Sequence, residues 1–260
     1  MLIKTITRNY SLNSMLWIYP LLEVTSFILC LYYFSLSIYL SIFFLILSSF
    51  LLSLSVHICF HEYVHQGKSK LSILSSFITI LMGMPFDGYK LHHLNHHKFD
   101  NNKGDFSSTW IFTGESKMPK SFFEYIFLWP RQVLEAGKFA RKESHFQKYR
   151  RAITVQKIIL VGWLALLFSI AIKFFIFYII LIYFGWVFVS IHNYGQHLPI
   201  DKLTNTYSYL NKAYNFIFFR NGLHVEHHQH PNVPWYEIEP VENSSKVNVP
   251  HFLVSLKRKL

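Results

Sequence analysis

The stretch SIYLSIFFLILSSFLLSLSVHICFHEYVH, residues 37–65, determines which class of fold the chain can adopt. Residues 37–59 contain no Asp, Glu, Lys or Arg. A helix that crosses a membrane needs about 20 predominantly apolar residues. We therefore predict a transmembrane helix that ends in a short segment carrying two histidines, HEYVH (61–65).

Apolar sequence of similar length continues on both sides of this helix. Residues 15–60 are almost continuously apolar, with Glu23 as the only clear charge, and a second apolar run at 158–191 is interrupted by Lys173. Each run is long enough for a hairpin of two spans. The predicted spans cover about 16–34, 37–59, 152–171 and 174–191. We expect an all-α, polytopic membrane protein with four transmembrane helices in two hairpins, forming a single domain over residues 1–260.

Composition supports a membrane protein. Hydrophobic residues make up 52% of the chain and charged residues only 15%, whereas a soluble domain carries about a quarter charged residues. The net charge of +11 is compatible with nucleic-acid binding, but beside long apolar spans it favours contact with a membrane surface, and we expect no nucleic-acid partner. The two cysteines, Cys30 and Cys59, both lie in apolar runs and predict no disulfide framework.

The distribution of basic residues predicts the orientation. The hairpin turns offer only Lys173, and the other basic positions lie in the loops of the opposite side, among them Lys4, Arg8, Lys68, Lys70, Lys90 and the dense stretch 131–157. Because positive charge favours the cytoplasmic side, we expect both termini and a cytosolic helical cap in the cytoplasm. Residues 71–86 and 121–142 are predicted either to lie along the membrane surface or to be helices of that cap.

Histidines occur mainly in four short clusters, and their position in the chain is informative. The clusters are HEYVH (61–65), HHLNHH (92–97), HNYGQH (192–197) and HVEHH (224–228). With the predicted topology, all four lie at the cytoplasmic face. We therefore expect an active site there.

Spacing within the clusters predicts metal ligands. Residues three or four apart share a face of a helix, so the members of each cluster point together. The candidate ligands are His61, His65, His93, His96, His97, Asn193, His197, His224, His227 and His228. One zinc site needs about three protein ligands, so this set suits two metal ions, and imidazole suits iron, zinc and copper alike. Four neighbours are candidates either for ligation or for orienting a ligand ring: His92, His192, Glu62 and Glu226.

The order of these motifs resembles a known family. HxxxH at 61–65 and HxxHH at 93–97 and 224–228, set between two apolar hairpins, resemble the three histidine boxes of the membrane fatty acid desaturase and hydroxylase superfamily. NYGQH (193–197) is similar to the Asn-x-x-x-His element that supplies further ligation in acyl desaturases. The resemblance extends from the second span to about Pro231.

This resemblance implies a di-iron centre, two iron ions held by histidines, with O2 as co-substrate. The implied reaction is desaturation of a fatty acyl chain that is presented as a lipid, a CoA ester or a carrier-protein ester. Hydroxylation of such a chain is the alternative, because both reactions use the same site. No His-Pro-Gly-Gly haem motif occurs in the sequence, so we expect an external electron donor such as a ferredoxin or cytochrome b5.

HEYVH also matches the HExxH signature of zinc metalloproteases. In that more distant alternative, His61 and His65 bind zinc, Glu62 activates water and Asp87 is the third ligand. It leaves the other histidine clusters unexplained. A metal transporter would need polar residues within the spans, where they are nearly absent.

A few residues outside the motifs carry smaller predictions. The loop DNNKGD (100–105) lacks the glutamate of a calcium loop and is predicted to be a turn. Trp110 and Trp235 are expected at the membrane interface rather than along a substrate path. We expect His57 to be a hydrogen-bonded core residue and His251 to be solvent-exposed or structural.

Overall fold

A computed structural model describes residues 14–65, 72–140, 144–242 and 244–257. The elements in chain order are α1 (Ile18–Tyr33), α2 (Ile38–His65), α3 (Ile73–Met82), α4 (Phe86–Phe99), β1 (Trp110–Thr113), β2 (Ser116–Pro119), α5 (Phe122–Phe127), α6 (Trp129–Ala140), α7 (Ser144–Ile170), α8 (Ile172–Gln196), α9 (Lys212–Ile217), α10 (His224–Gln229) and α11 (His251–Lys257). The predicted helical class is confirmed, with one correction. Strands β1 and β2 pair as an antiparallel hairpin that the all-α prediction did not include.

Three helices in the described part of the chain are long and apolar enough to cross a membrane: α2, residues Gln147–Ile170 of α7, and α8. Helix α1 has 16 residues. At 1.5 Å per residue it extends about 24 Å, less than the roughly 30 Å of a bilayer's hydrocarbon core. The four-span topology and its cytosolic cap therefore stay predictions. Three of the four predicted spans correspond to long apolar helices of the structure.

Helices α1 and α2 form a tight hairpin that serines hold together. The Ser48 hydroxyl donates to the Glu23 carbonyl oxygen over 2.9 Å, and the Ser41 hydroxyl donates to the Cys30 carbonyl oxygen over 2.9 Å. Small hydroxyl residues let two helix backbones approach closely in an apolar environment. Helix α2 contacts both α1 and α8, and its residues form much of the apolar core.

Near its end, α2 changes from an α-helix to a π-helix. Residues Ser55–Phe60 form the π-helical segment, and His61–His65 then return to α-helix. Such wide turns often occur at functional sites, because they change the direction of the side chains that follow. Within this segment, His57 is buried and its Nε2 lies 3.2 Å from the Val189 carbonyl oxygen. The prediction of a hydrogen-bonded core histidine is confirmed.

Helix α11 packs directly on the end of α8 because Gly195 has no side chain. A Cβ atom at Gly195 would lie 1.9 Å from the carbonyl oxygen of His251. His251 itself is fully buried, and its Nε2 lies 2.9 Å from the Tyr207 carbonyl oxygen. Of the two roles expected for His251, the structural one is therefore correct.

The two segments expected at the membrane surface or in the cap are largely helical in their described residues, 72–86 and 121–140; residues 71, 141 and 142 lie outside the described part of the chain. Residues 71–86 contain α3, which begins at a capping box on Ser72 and ends at Gly83 with a φ of 66°. Residues 121–142 contain α5 and α6, which are separated at Leu128. Their position relative to a membrane stays a prediction.

Candidate metal centre

The four histidine clusters converge where the ends of α2 and α8 meet α4 and α10. Their rings form two groups, and within each group the ligand atoms lie within 4.8 Å of one another. The five-histidine group consists of His61, His65, His93, His97 and His227. The four-histidine group consists of His96, His197, His224 and His228. All nine histidines predicted as ligands are therefore brought together.

Helical periodicity distributes the ligands of one helix between both groups. On α4, His93 and His97 are four residues apart and face the five-histidine group, while His96 faces the four-histidine group. Helix α10 is divided in the same way, with His227 on one side and His224 and His228 on the other. The groups are adjacent, since the ring centroids of His97 and His228 are 4.4 Å apart.

Distances within the five-histidine group match the coordination shell of one ion. At a metal–nitrogen distance of about 2.1 Å, neighbouring ligands lie about 3 Å apart and opposite ligands about 4 Å. The Nε2 atom of His93 lies 3.1 Å from that of His65 and 2.9 Å from that of His97. The Nε2 atoms of His97 and His227 are 3.0 Å apart. These side chains have the separations of adjacent ligands.

The four-histidine group gives an independent test of whether a cation fits. The Nδ1 atom of His96 lies 2.8 Å from a carboxylate oxygen of Asp105, and Nδ1 of His197 lies 2.9 Å from the Asn205 carbonyl oxygen. Both oxygens only accept, so each neutral ring carries its proton on Nδ1 and a lone pair on Nε2. Those two Nε2 atoms are 3.0 Å apart, and Nε2 of His224 is 2.8 Å from that of His197. When both rings are neutral, their facing lone pairs repel each other, and a shared metal ion removes that repulsion.

Burial keeps most of these rings neutral. Desolvation lowers the pKa of His93, His197 and His227 well below the ordinary histidine value, because it penalises the charged form. Neutral imidazole is the form that binds metal. His96 differs: burial lowers its pKa, but the charge and hydrogen bond of Asp105 outweigh burial and raise the pKa overall.

Two carboxylates in the turn after α4 orient rings of the four-histidine group. Asp105 accepts from His96 and also from the backbone N–H groups of Asn101 and Ser107, over 2.8 and 2.7 Å. The Asp100 carboxylate lies 3.0 Å from Nδ1 of His228. The predicted turn at 100–105 is confirmed. Its two aspartates are the sequence feature from which these partners of the histidine rings could have been predicted.

The two glutamates inside the clusters have a different role from the one predicted. Glu226 is fully buried and accepts from the Ser208 hydroxyl over 2.5 Å and from the Val241 backbone N–H over 3.0 Å. Glu62 accepts from the Trp235 backbone N–H over 2.8 Å. Among the described contacts both carboxylates hold chain segments rather than histidine rings, which corrects the prediction that they orient ligands.

His92 and His192 belong to neither group within the described residues. The Nε2 atom of His92 lies 3.2 Å from the Ser107 hydroxyl. His192 lies 3.5 Å from the Tyr214 hydroxyl, and its ring centroid is 4.4 Å from that of His57. Both rings therefore border the site without joining the ligand groups.

Asn193 lies on the wall of a cavity beside the two groups. Its side-chain N–H donates to the Tyr125 hydroxyl over 2.5 Å, and that hydroxyl donates its own proton to the Ser107 carbonyl oxygen over 2.8 Å. Because the phenol has only one proton to give, it accepts from Asn193 and fixes the orientation of the amide. The Asn193 Oδ1 is then the atom left for another partner.

The position of Trp235 differs from the one predicted at the membrane interface. This residue is only 1% exposed, its indole N–H donates to Nδ1 of His61 over 3.0 Å, and its ring lies 4.2 Å from that of His227. Trp110 is buried as well, at 3% exposure. Both tryptophans were expected at the membrane interface. That prediction is wrong, because the surrounding chain covers both rings.

The zinc-protease arrangement is not formed. Asp87 is fully buried, and its carboxylate accepts from the side-chain N–H of Gln156 over 2.8 Å. Among the described residues it belongs to neither histidine group. His61 and His65 therefore have other histidines, rather than Asp87, as their companions.

The cavity beside the groups has a volume of about 70 Å³. Aromatic and polar side chains form most of its wall. Apart from histidines, the lining residues are Tyr89, Ser107, Tyr125, Trp129, Gln132, Val133, Trp186, Val189, Ser190, Asn193, Gln196 and Trp235. A substrate that enters this cavity reaches His61, His93, His96 and His224 directly.

Long apolar helices and two adjacent groups of buried histidines define the class: a helical protein of membrane type with a site suited to metal ions. More specifically, the chain belongs to the fatty acid desaturase family, whose family model matches residues 34–252. The resemblance inferred from the histidine boxes is thereby confirmed. A search of curated proteins finds no match.

Proposed function

We propose that this protein is an oxygen-dependent membrane desaturase that introduces a double bond into a fatty acyl chain at a histidine-held di-iron centre. Membership of the fatty acid desaturase family supports the reaction class. The observation that carries the metal centre is the convergence of nine histidine side chains into two groups, in each of which the ligand atoms lie within 4.8 Å of one another. Two adjacent histidine groups support two ions rather than one.

In this proposal the nine histidines are the ligands, and Asn193 adds its Oδ1. Asp105 and Asn205 hold the protons of His96 and His197 on Nδ1, so that both rings present Nε2 to the metal. When bound, reduced iron would supply the electrons that activate dioxygen. Trp129 and Trp186 on the cavity wall position the acyl chain and exclude water from the reacting carbon.

The proposal includes a membrane setting and partners. The substrate is an acyl chain linked to lipid, CoA or a carrier protein. The site and both termini face the cytoplasm, where an external donor such as a ferredoxin or cytochrome b5 supplies electrons. The basic side chains of residues 131–157 support contact with an acidic donor or anionic headgroups at that face.

Lipid profiling of cells that express the protein tests the reaction, and metal analysis of the purified protein tests the site. We expect new double bonds in acyl chains and about two irons per chain in the wild type. His228→Ala removes one proposed ligand. This variant should form no product and should hold less iron than the wild type. His230→Ala, at an exposed neighbouring position, is the matched control and should change neither.

A new hydroxyl group in place of a double bond would assign hydroxylation to the same site. A single zinc ion together with unaltered acyl chains would refute the proposed function. Retention of product and iron by the His228→Ala variant would remove His228 from the ligand set.

A further inference from the structure

Gln196, the last residue of α8, has a buried carboxamide on the cavity wall. The residue is 0% exposed, and neither its Oε1 nor its Nε2 has a hydrogen-bond partner in the described part of the chain. Its backbone carbonyl is occupied separately, since it accepts from the Tyr207 N–H over 2.9 Å. The side chain therefore has an unpaired NH2 donor group and an unpaired carbonyl acceptor.

An amide in this position is unfavourable unless something binds to it. Leaving a buried donor or acceptor unpaired costs about 1–3 kcal/mol. Nearly all buried polar side-chain atoms in proteins are hydrogen-bonded, so an exception calls for a ligand or a water molecule. An apolar residue of similar length would fill the same space without that cost.

The rest of the wall is largely apolar through its aromatic side chains, with a few polar groups among them. Val133 and Val189 are its only aliphatic residues among those described, and Gln132, Ser107 and Ser190 add polar groups. The described wall contains no Lys, Arg, Asp or Glu. No charged side chain of the described wall can pair with a charged substrate group, so the amide of Gln196 is suited to a neutral one.

We propose that Gln196 recognises a neutral hydroxyl or amide on the substrate chain, close to the carbon that reacts. Either group both donates and accepts, and so pairs with both polar atoms of the Gln196 carboxamide. The substrate class is then an acyl chain that already carries a hydroxyl or amide, rather than a plain fatty acyl chain. This inference rests on the proposed function, because it assigns the cavity to the acyl substrate.

Binding to the purified, full-length protein tests the inference. The ligand panel is methyl octadecanoate, its hydroxylated derivatives with the hydroxyl at successive carbons, their keto counterparts, and a chain of equal length with an internal amide. Tryptophan fluorescence reports binding, because Trp129, Trp186 and Trp235 line the cavity. In the wild type we expect at least one hydroxyl or amide ligand to bind about tenfold more tightly than the plain ester, with the keto compound between them.

Gln196→Leu and Gln196→Met should remove this preference and leave binding of the plain ester at least as tight. Gln147→Leu, an exposed glutamine on α7, is the matched control and should keep the preference. Equal binding of the whole panel to the wild type overturns the inference without any variant. Persistence of the preference in a folded Gln196 variant also overturns it and leaves water as the partner of this amide.

The outcome is separable from that of the proposed function. Iron-dependent desaturation of a plain acyl chain with no binding preference would sustain the proposed function and refute the role of Gln196. A Gln196-dependent preference in a protein that takes up no iron would support the role of Gln196 and refute the proposed function.

Discussion

The indole N–H of Trp235 donates to Nδ1 of His61 over 3.0 Å, and the Trp235 backbone N–H donates to Glu62 over 2.8 Å. Together these bonds attach the loop after α10 to the end of α2. They also occupy the Nδ1 lone pair of His61, so the neutral ring carries its proton on Nε2. His61 thus differs from His96 and His197, whose Nδ1 atoms face acceptors.

Metal binding should break the hydrogen bond between Trp235 and His61. Ligation through Nε2 moves the ring proton to Nδ1, and two N–H groups cannot hydrogen-bond to each other. NMR of protein with 15N-labelled tryptophan, titrated with diamagnetic zinc, should show a shift of the Trp235 indole signal, assigned with Trp235→Phe. The buried Trp186 indole, which donates to the Met82 carbonyl oxygen over 2.8 Å, is the internal control. An unshifted Trp235 signal at full zinc occupancy would exclude ligation by His61 Nε2.

Asp105→Asn should weaken metal binding and leave the fold in place. The amide keeps a carbonyl acceptor for one backbone N–H but loses the charge that orients His96. Loss of such a partner of a metal-binding histidine lowers metal affinity about 10–100-fold. Competition with a chelator measures the affinity. The control is Asp201→Asn, because Asp201 is an exposed turn residue whose carboxylate accepts from the Leu203 N–H. Equal metal affinities of the two variants would contradict the role of Asp105.

Tyr125→Phe should lower the rate of substrate oxidation while iron content stays normal. The variant removes the acceptor that fixes the amide of Asn193, so its Oδ1 no longer has one orientation. Product formed per iron is the measurement. Tyr183→Phe removes an exposed phenol that donates to the Phe127 carbonyl oxygen and should have no effect. If both variants lose activity equally, the bond to Asn193 is not the cause.

Gly195→Ala should destabilise the protein, whereas Gly162→Ala should not. A Cβ at Gly195 meets the His251 carbonyl at 1.9 Å, so α8 and α11 must separate, and forcing extra volume into a packed contact costs typically about 1–3 kcal/mol. Gly162 lies inside α7 with no atom within 4 Å of a Cβ, and alanine is better than glycine in a helix by about 1 kcal/mol. Thermal unfolding of the two variants should therefore shift in opposite directions. An increase for Gly195→Ala would show that α11 is free to move.

The long spans and the ligand groups could be predicted from the sequence because both depend on local patterns. Apolar length alone indicates α2, α7 and α8. Spacing of three and four residues predicts which histidines converge, but it also pairs His93 with His96 and His224 with His227, and the structure divides both pairs between the two groups. The span predicted over α1 stays a prediction, since its helix of 16 residues is shorter than the apolar run.

Contacts between distant parts of the chain could not be predicted in this way. The burial of Trp235 depends on residues 174 positions away, and that of Asp87 depends on Gln156 on α7. Glu226 was a candidate for orienting its neighbouring histidines, yet its carboxylate accepts hydrogen bonds from the Ser208 hydroxyl and the Val241 backbone N–H. The β1–β2 hairpin lacked a clear alternating pattern, and only Trp110 within β1 is buried. Tertiary packing decides each of these cases.

The division of α4 and α10 between the two histidine groups has a thermodynamic consequence. An ion that orders α10 through His227 leaves His224 and His228 already placed for the other ion, so the second binding event loses less conformational entropy than the first. The linkage is reciprocal, since each ion favours the other equally. The two proposed positions should therefore fill cooperatively, and half-loaded protein should be less abundant than it would be with independent sites.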